Sequence, residues 1–124
     1  MPRRIATPYV IMIVEDEFLI AMDLEITLRS AGYEVLGPAH TVGMALALLK
    51  AERPDAAVLD VDLAGQWVTP VAEVLQAMLV PFVVASAFSP ADLQAEPILR
   101  KAINVGKPTS SRRLLSELEV ITQK

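Results

Sequence analysis

The chain has 124 residues, of which 53% are hydrophobic and 21% are charged, and its formal net charge is −4. This length suits one domain that buries about two-thirds of its unfolded surface. The composition argues against disorder, and no apolar stretch reaches the roughly 18 residues of a membrane span. Disulfides and cysteine-ligated zinc are excluded because the chain has no cysteine. Direct binding to nucleic acid is disfavoured, since the chain is net acidic and isolated basic pairs such as Arg112-Arg113 do not form a broad basic face.

Residues 1–8 are predicted to form an N-terminal extension, and residues 9–124 the domain. The extension is basic at Arg3-Arg4, but the apolar run that follows it soon meets Glu15-Asp16-Glu17. That run is too short for the hydrophobic region of a signal peptide. We therefore expect a cytoplasmic protein that makes no membrane contact.

Apolar runs typical of buried strands alternate with segments of helical periodicity along the whole chain. In chain order, the predicted elements are strand 10–14, helix 18–31, strand 34–36, helix 42–49 with Thr41 as its N-cap, strand 56–59, helix 71–78, strand 82–85 and strand 102–105. A last helix, capped by Thr109 or Ser110, carries Leu114, Leu118 and Ile121. A fourth helix between Pro90 and Pro97 must be short or distorted, because proline is tolerated only near a helix start. The strands are hydrophobic throughout, which is typical of a parallel sheet covered on both faces. The predicted fold is α/β, a single doubly wound domain around five parallel strands.

Charged residues follow three of the predicted strands. Glu15 and Asp16 follow the first strand, Asp60 the third and Lys107 the fifth. Because ligands of open parallel sheets bind at the carboxyl ends of the strands, we expect these side chains to meet at one edge. Each alone is compatible with a solvated loop residue or a helix N-terminal charge. Their joint placement favours a functional site.

Three carboxylates at one edge require a cation, since two such charges about 4 Å apart repel by about 4 kcal/mol at an effective dielectric near 20. Mg²⁺ suits these few, hard oxygen ligands better than zinc or calcium. An aspartate beside a metal and a lysine can attack a phosphoryl donor. Asp60 is the candidate nucleophile because its strand is predicted to be central, and Ser86 can donate a hydrogen bond to a phosphoryl oxygen.

Four motifs in this order resemble those of a response-regulator receiver domain of two-component signalling. They are Val14-Glu15-Asp16-Glu17, Leu59-Asp60-Val61-Asp62-Leu63, Ser86-Ala87 and Lys107-Pro108. The resemblance covers roughly residues 9 to 122. It implies a flavodoxin-like sheet with the strand order 2-1-3-4-5.

The resemblance also implies the roles of the site residues. Asp60 would accept the phosphoryl group from a histidine kinase or histidine phosphotransferase. Mg²⁺ would be bound by Asp16 and Asp60, by Glu15 through metal-bound waters, and by the backbone carbonyl of Asp62.

The remaining implied roles concern phosphate binding and partner contact. Lys107 would pair with the phosphate, Ser86 would be the switch hydroxyl and the Ala87 backbone would bind phosphate. In this family the first helix commonly docks on the phosphate donor. Phe18 and Met22 are therefore candidates for partner contacts, although their spacing also allows burial.

Several positions depart from the family pattern. Asn104 stands where many receivers carry Tyr or Phe as the second half of the switch, and Thr109 replaces an aromatic residue after Lys-Pro. Phe88 can substitute for the missing aromatic residue only if its loop turns inward. Trp67, near the rim, allows either a partner contact or packing, and His40 is assigned no role. The output surface beside the fourth helix is therefore expected to be unusual.

The sequence thus predicts a receiver phosphorylated on Asp60 that signals through protein contacts with its kinase and a downstream protein. We expect no output domain in this chain, as in a single-domain regulator or a receiver excised from a larger protein. Enzymatic activity is expected only as self-phosphorylation and self-dephosphorylation. One alternative is a receiver-like interaction module that is not phosphorylated. Another is a phosphatase of the haloacid-dehalogenase type, whose Asp-x-Asp motif, however, normally closes the first strand.

Overall fold

The computed structural model of the chain describes residues 8–123. Its elements are β1 (Val10–Val14), α1 (Phe18–Ser30), β2 (Glu34–Ala39), α2 (Val42–Ala51), β3 (Ala56–Leu59), β4 (Asp62–Leu63), β5 (Gln66–Trp67), α3 (Thr69–Ala77), β6 (Phe82–Val84), α4 (Pro97–Arg100), β7 (Ile103–Asn104) and α5 (Ser111–Thr122). Residues 1–7 of the predicted N-terminal extension, and Lys124, lie outside the described residues. None of the described helices is long and apolar enough to cross a membrane.

Five parallel strands form the main sheet in the order β2-β1-β3-β6-β7. Counting only the strands of this sheet, the order is 2-1-3-4-5, which confirms the predicted flavodoxin-like fold. The two-residue strands β4 and β5 form a separate antiparallel hairpin after β3, which the sequence patterns did not predict.

Helices cover both faces of the sheet, and β1 shows how one strand serves two cores. Met12 and Val14 pack into the cluster that contains residues of α2, α3 and α4. Ile11 and Ile13 pack into the other cluster, with residues of α1 and α5. Because successive side chains of a strand point to opposite faces, a run with no polar residue is needed to fill both cores.

The main differences from the sequence prediction concern three elements. The predicted end of β2 at Gly37 is wrong, because Ala39 still pairs with Val14 after a register shift. Gly37 permits this bulge: its φ is +100°, and a Cβ there would lie 2.8 Å from the Ala39 nitrogen. The last strand is shorter than predicted, at Ile103–Asn104. The fourth helix is short, as expected, but its four residues run from Pro97 to Arg100 and not between Pro90 and Pro97, because proline is placed at the helix start.

Candidate functional site

The carboxyl ends of four neighbouring strands converge at one edge of the sheet. The last register pairs are Val14–Leu59, Leu59–Val84 and Val84–Asn104. Glu15 and Asp60 directly follow paired residues of β1 and β3, whereas Ser86 and Lys107 lie a few residues beyond β6 and β7. The topology therefore gathers residues that are as many as 92 positions apart in the chain.

Lys107 is the cation at the centre of this edge. Its Nζ lies 3.2 Å from Asp60 Oδ2 and 3.2 Å from Glu15 Oε1, and donates a hydrogen bond of 3.3 Å to Glu15 Oε2. Although the lysine lies within ion-pair distance, Glu15 Oε1 has no hydrogen-bond partner within residues 8–123. One ammonium group thus contacts two carboxylates without satisfying all of their oxygens.

Glu15 is almost fully buried, with 1% of its surface exposed. Burial raises the pKa of this carboxyl from 4.5 to about 7, and the nearby Asp60 charge adds to the rise. The hydrogen bond from the Glu17 backbone amide and the charge of Lys107 act in the opposite direction. Near neutral pH, the charge of Glu15 therefore depends on whether a further cation is present.

Asp60 is also buried, at 7% exposure. Burial raises the pKa of its carboxyl above the ordinary value, although Lys107 partly offsets this effect. Burial lowers the pKa of Lys107, but the Asp60 and Glu15 carboxylates outweigh it and the net pKa is raised. The lysine therefore stays charged, and the aspartate is poorly solvated and more basic than an exposed one.

Glu15, Asp16 and Asp60 each place one carboxylate oxygen within 4.8 Å of the others. At that separation, two charged carboxylates repel by about 3.5 kcal/mol or more at an effective dielectric of 20. One lysine does not balance three acids, and the buried Glu15 Oε1 is left without a donor. These hard, incompletely satisfied oxygens fit a divalent cation of the Mg²⁺ type.

The β4–β5 hairpin is attached to this acidic cluster. Asp16 Oδ2 accepts a hydrogen bond of 3.0 Å from the Ala64 amide, at the tip of the hairpin. Asp62 Oδ1 accepts one of 2.9 Å from the Gly65 amide and so closes the turn. The Asp62 side chain is thus used by the hairpin, which leaves its backbone carbonyl as the predicted metal ligand. The sequence signal for the turn was the Asp62-x-x-Gly65 spacing.

Ser86 lies at the carboxyl end of β6 and is buried. Its Oγ accepts a hydrogen bond of 2.9 Å from the Phe88 amide. The Ala87 amide makes no hydrogen bond to any of the residues 8–123. The Phe88 ring packs on Trp67 with the ring centroids 5.6 Å apart, and both side chains are partly exposed. Phe88 therefore lies at the rim and does not turn inward.

Asn104, which stands where many receivers carry an aromatic residue, makes two hydrogen bonds. Its Oδ1 accepts hydrogen bonds from the Ser86 amide at 3.1 Å and from the Gly106 amide at 2.9 Å. The sequence showed only that an aromatic residue was missing here. No sequence signal identified these two partners. Gly106 is a local partner, but Ser86 lies 18 residues away, beyond the end of the neighbouring strand.

The outer face of α1 carries the two predicted contact residues, and both are exposed. Phe18 is 69% exposed and Met22 is 43% exposed. Leu19 and Ile26 are exposed beside them and were missed, although the i, i+4, i+8 spacing from Phe18 to Ile26 predicts one face. A cavity of about 230 Å³ separates α1 from the segment that begins at Lys107.

His40 has a structural contact with the acidic loop. Its Nδ1 lies 2.9 Å from the backbone oxygen of Glu15, and its ring centroid lies 6.4 Å from that of Phe18. A protonated Nδ1 can therefore donate to this carbonyl and help to hold the loop that carries the acids. No role could be assigned to this histidine from the sequence, because its partner lies 25 residues away.

Comparison with known proteins identifies the family. No protein-family profile matches the chain. The transcriptional regulatory protein PdtaR of Mycobacterium tuberculosis is 37% identical over 89 residues, which are 71% of this chain and 43% of PdtaR. The chain thus spans less than half the length of these relatives.

Several solved structures match over nearly the whole chain, among them SdrG and the receiver domain of PhyR. SdrG from Pseudomonas melonis, in its BeF3-activated conformation, is 37% identical with a TM-score of 0.76, and the match covers 92% of this chain and 96% of SdrG. The receiver domain of PhyR from Erythrobacter litoralis is 27% identical with a TM-score of 0.81, over 92% of this chain and 89% of that domain. Together with the strand order and the acidic edge, these matches show that the chain belongs to the response-regulator receiver domains of two-component signalling.

Proposed function

We propose that this receiver accepts a phosphoryl group on Asp60, in a Mg²⁺-dependent reaction, from a histidine kinase or histidine phosphotransferase. The observation that carries the proposal is the position of Lys107 Nζ, 3.2 Å from both Asp60 Oδ2 and Glu15 Oε1. One fixed cation thereby lies beside the attacking carboxylate. Phosphoryl transfer depends mainly on such positioning and on neutralisation of charge.

The transfer step uses an Asp60 carboxylate oxygen as the nucleophile. It forms a new P–O bond while the P–N bond of the donor phosphohistidine breaks, and the electron pair of the broken bond stays on the histidine nitrogen. Burial has removed much of the water around Asp60, so less solvent must be displaced before attack. Lys107 neutralises part of the charge on the transferred group.

The acidic cluster would hold the metal through Glu15, Asp16 and Asp60, with the Asp62 carbonyl as a further ligand. When bound, Mg²⁺ would supply positive charge to the phosphoryl oxygens. The unsatisfied Glu15 Oε1 supports this assignment, because a buried carboxylate oxygen without a donor is costly. Asp16 would bind while its Oδ2 holds the hairpin through Ala64.

Ser86 and Ala87 would bind the phosphoryl oxygens from the other side. Ser86 Oγ accepts from the Phe88 amide, which leaves its own hydroxyl proton available to donate. The Ala87 amide has no partner within residues 8–123 and is a second candidate donor. Reorientation of Ser86 toward the phosphoryl group would release the Phe88 amide, and thereby connect Asp60 to the rim.

The donor protein would dock on the outer face of α1, and signalling would proceed through contacts with a downstream protein. Phe18 and Met22 are exposed apolar residues on the first turns of α1, next to the loop that holds Glu15 and Asp16. Large exposed apolar side chains that cluster in this way are typical of protein contacts. α1 begins two residues after Asp16, so a donor docked on its first turns would lie beside the acidic loop.

Docking is tested with Phe18→Asp. We expect slower transfer from a phosphohistidine-carrying phosphotransferase, with unchanged labelling by acetyl phosphate, which needs no protein docking. Val120→Asp is the matched control, because Val120 is also an exposed apolar residue on a helix but lies on α5. Equal rates of protein-to-protein transfer in the two variants would contradict docking on α1.

We further propose that the chain is not a multiple-turnover phosphatase. Asp60 follows the third strand of the chain, whereas the haloacid-dehalogenase motif normally closes the first, which supports the receiver chemistry. Hydrolysis would be limited to attack of water on the phosphorus of phospho-Asp60, which restores the carboxylate and releases inorganic phosphate. A cytoplasmic location, where the kinase and ATP are available, is part of the same proposal.

The main experiment combines labelling with beryllofluoride binding. Acetyl phosphate with Mg²⁺ should add one phosphoryl group, seen by intact mass, and Mg²⁺ with beryllofluoride should give saturable shifts of the backbone amides. Both effects should vanish in Asp60→Asn and on removal of Mg²⁺, while Asp62→Asn should still be labelled. An unlabelled wild type with unchanged amides would favour the interaction module, and repeated hydrolysis of phosphomonoesters would favour a phosphatase.

A further inference from the structure

One side chain connects the two strand ends that carry the switch hydroxyl and the lysine. Asn104 Oδ1 accepts from the Ser86 amide at 3.1 Å and from the Gly106 amide at 2.9 Å. Both partners are N–H donors, so the oxygen of the side-chain amide, and not its nitrogen, must face them. Asn104 therefore holds the backbone of both segments through a single acceptor atom.

This link begins where the hydrogen bonds of the sheet end. The last backbone bond between β6 and β7 runs from the Val105 amide to the Val84 carbonyl, at 2.8 Å. Beyond it, the Ser86 amide is bound by Asn104 and not by a neighbouring strand. The side-chain oxygen of Asn104 thus continues the pairing for one further step.

The same link controls the direction of the chain toward Lys107. Gly106 has a φ of +85°, so the backbone bends sharply immediately before the lysine. The hydrogen bond from its amide to Asn104 Oδ1 holds this bend. Lys107 then reaches Asp60 Oδ2 at 3.2 Å. A change of a few tenths of an ångström at the bend would alter that contact.

An aromatic side chain at this position has no comparable acceptor. Tyr or Phe in place of Asn104 would leave the Ser86 and Gly106 amides without their present partner, and an unsatisfied donor is costly even where it is only partly buried. Conversely, Asn104 is anchored at two points and cannot rotate as a free ring does. Position 104 of this chain is therefore a fixed link and not a rotating gate.

We propose that Asn104 is a positioning residue for phosphoryl transfer, which holds Ser86 and Lys107 in register on the phosphoryl side of Asp60. The inference rests on the proposed phosphorylation of Asp60. Loss of the acceptor oxygen should slow phosphoryl transfer to Asp60, whereas the binding of Mg²⁺ by the three carboxylates should be unaffected. A general loss of folding would impair both.

Two substitutions of similar size separate these cases. Asn104→Leu keeps the shape and removes the acceptor, and Asn104→Asp keeps an acceptor oxygen. In the leucine variant, we expect the Ser86 and Gly106 amide protons to shift upfield and to exchange faster, and the aspartate variant should retain wild-type behaviour at both amides. Labelling by acetyl phosphate at saturating Mg²⁺ should slow by about tenfold in the leucine variant.

The Mg²⁺ affinity of the leucine variant, from amide shifts in a titration with the metal alone, should stay within about twofold of wild type. Wild-type labelling rates in Asn104→Leu would overturn the inference. So would a Mg²⁺ affinity that falls as much as the rate, since that pattern indicates general damage to the site. If the wild type itself gains no phosphoryl group, the proposed function fails and the inference falls with it, a result distinct from failure in the variant alone.

Discussion

The buried carboxyl of Glu15 should make the stability of the metal-free protein depend on pH. Only 1% of Glu15 is exposed, and burial raises its pKa from 4.5 to about 7. Between these two values the unfolded chain has released the proton while the folded chain still holds it. The folded state then binds more protons, so the free energy of unfolding falls as the pH rises.

The size of this effect follows from the two pKa values. At about 1.4 kcal/mol for each pKa unit, the difference amounts to about 3 kcal/mol. The penalty is absent below about pH 4.5, grows from there to about pH 7 and is complete above it. Glu15→Gln removes the titrating proton but keeps the size of the side chain, so it should remove this part of the pH dependence.

The assay is denaturant unfolding without Mg²⁺, at a series of pH values from 4.5 to 8. Relative to wild type, Glu15→Gln should gain about 3 kcal/mol of unfolding free energy between the two ends of the series. Glu17→Gln is the matched control, because Glu17 is an exposed neighbour, and its difference from wild type should stay nearly constant. Parallel pH profiles for wild type and Glu15→Gln would refute the reasoning, as they would show that burial does not hold a proton on Glu15.

Three further outcomes are expected. In the wild type, the affinity for Mg²⁺ alone should be about tenfold lower at pH 6 than at pH 8, because the proton on Glu15, whose pKa is about 7, competes with the metal. Calorimetric titration of Glu15→Gln with Mg²⁺ should show no such pH dependence in this range. Trp67 fluorescence should change when beryllofluoride and Mg²⁺ bind, because Ser86 would release the amide of Phe88, whose ring packs on Trp67. The change should be smaller in Phe88→Ala. An equal change in both proteins would contradict this route from Ser86 to Trp67. Gly37→Ala should lower the free energy of unfolding by about 2–3 kcal/mol, and Gly32→Ala by only about 1 kcal/mol. Both glycines have φ near +100°, but only Gly37 lacks space for a Cβ. Equal losses in the two variants would show that this crowding is unimportant.

The order of elements and the acidic edge could be predicted because they depend on local features. Uninterrupted apolar runs such as Val10–Val14 indicate strands with two buried faces, and parallel strands end at a common edge. Asp60 and Lys107 therefore had to lie near each other once their strands were assigned. The end of β2 was mispredicted at Gly37, since glycine punctuates turns and bulges alike and only the partner strand distinguishes them.

Sequence patterns could not predict the burial of Glu15 or the hydrogen bonds of Asn104. From the sequence, Glu15 is an ordinary strand-end acid. Its pKa is raised because the tertiary structure buries it, and Lys107 only partly offsets that rise. At position 104 the sequence shows only that an aromatic residue is absent, although Asn104 Oδ1 accepts hydrogen bonds from the amides of both Ser86 and Gly106. Both properties arise from contacts between distant segments, whose distances and angles no periodicity encodes.

By itself, the sequence determined the receiver fold and the group of acids and lysine around Asp60, because residue type and strand order are enough to bring these residues to one edge. Only the tertiary structure decided how that edge is held. It assigned the bridging role to Asn104 and left Phe88 packed on Trp67 at the rim. The physical reason is that pattern specifies which face of an element is buried, whereas hydrogen bonding and solvation depend on atoms that meet only after the strands have paired.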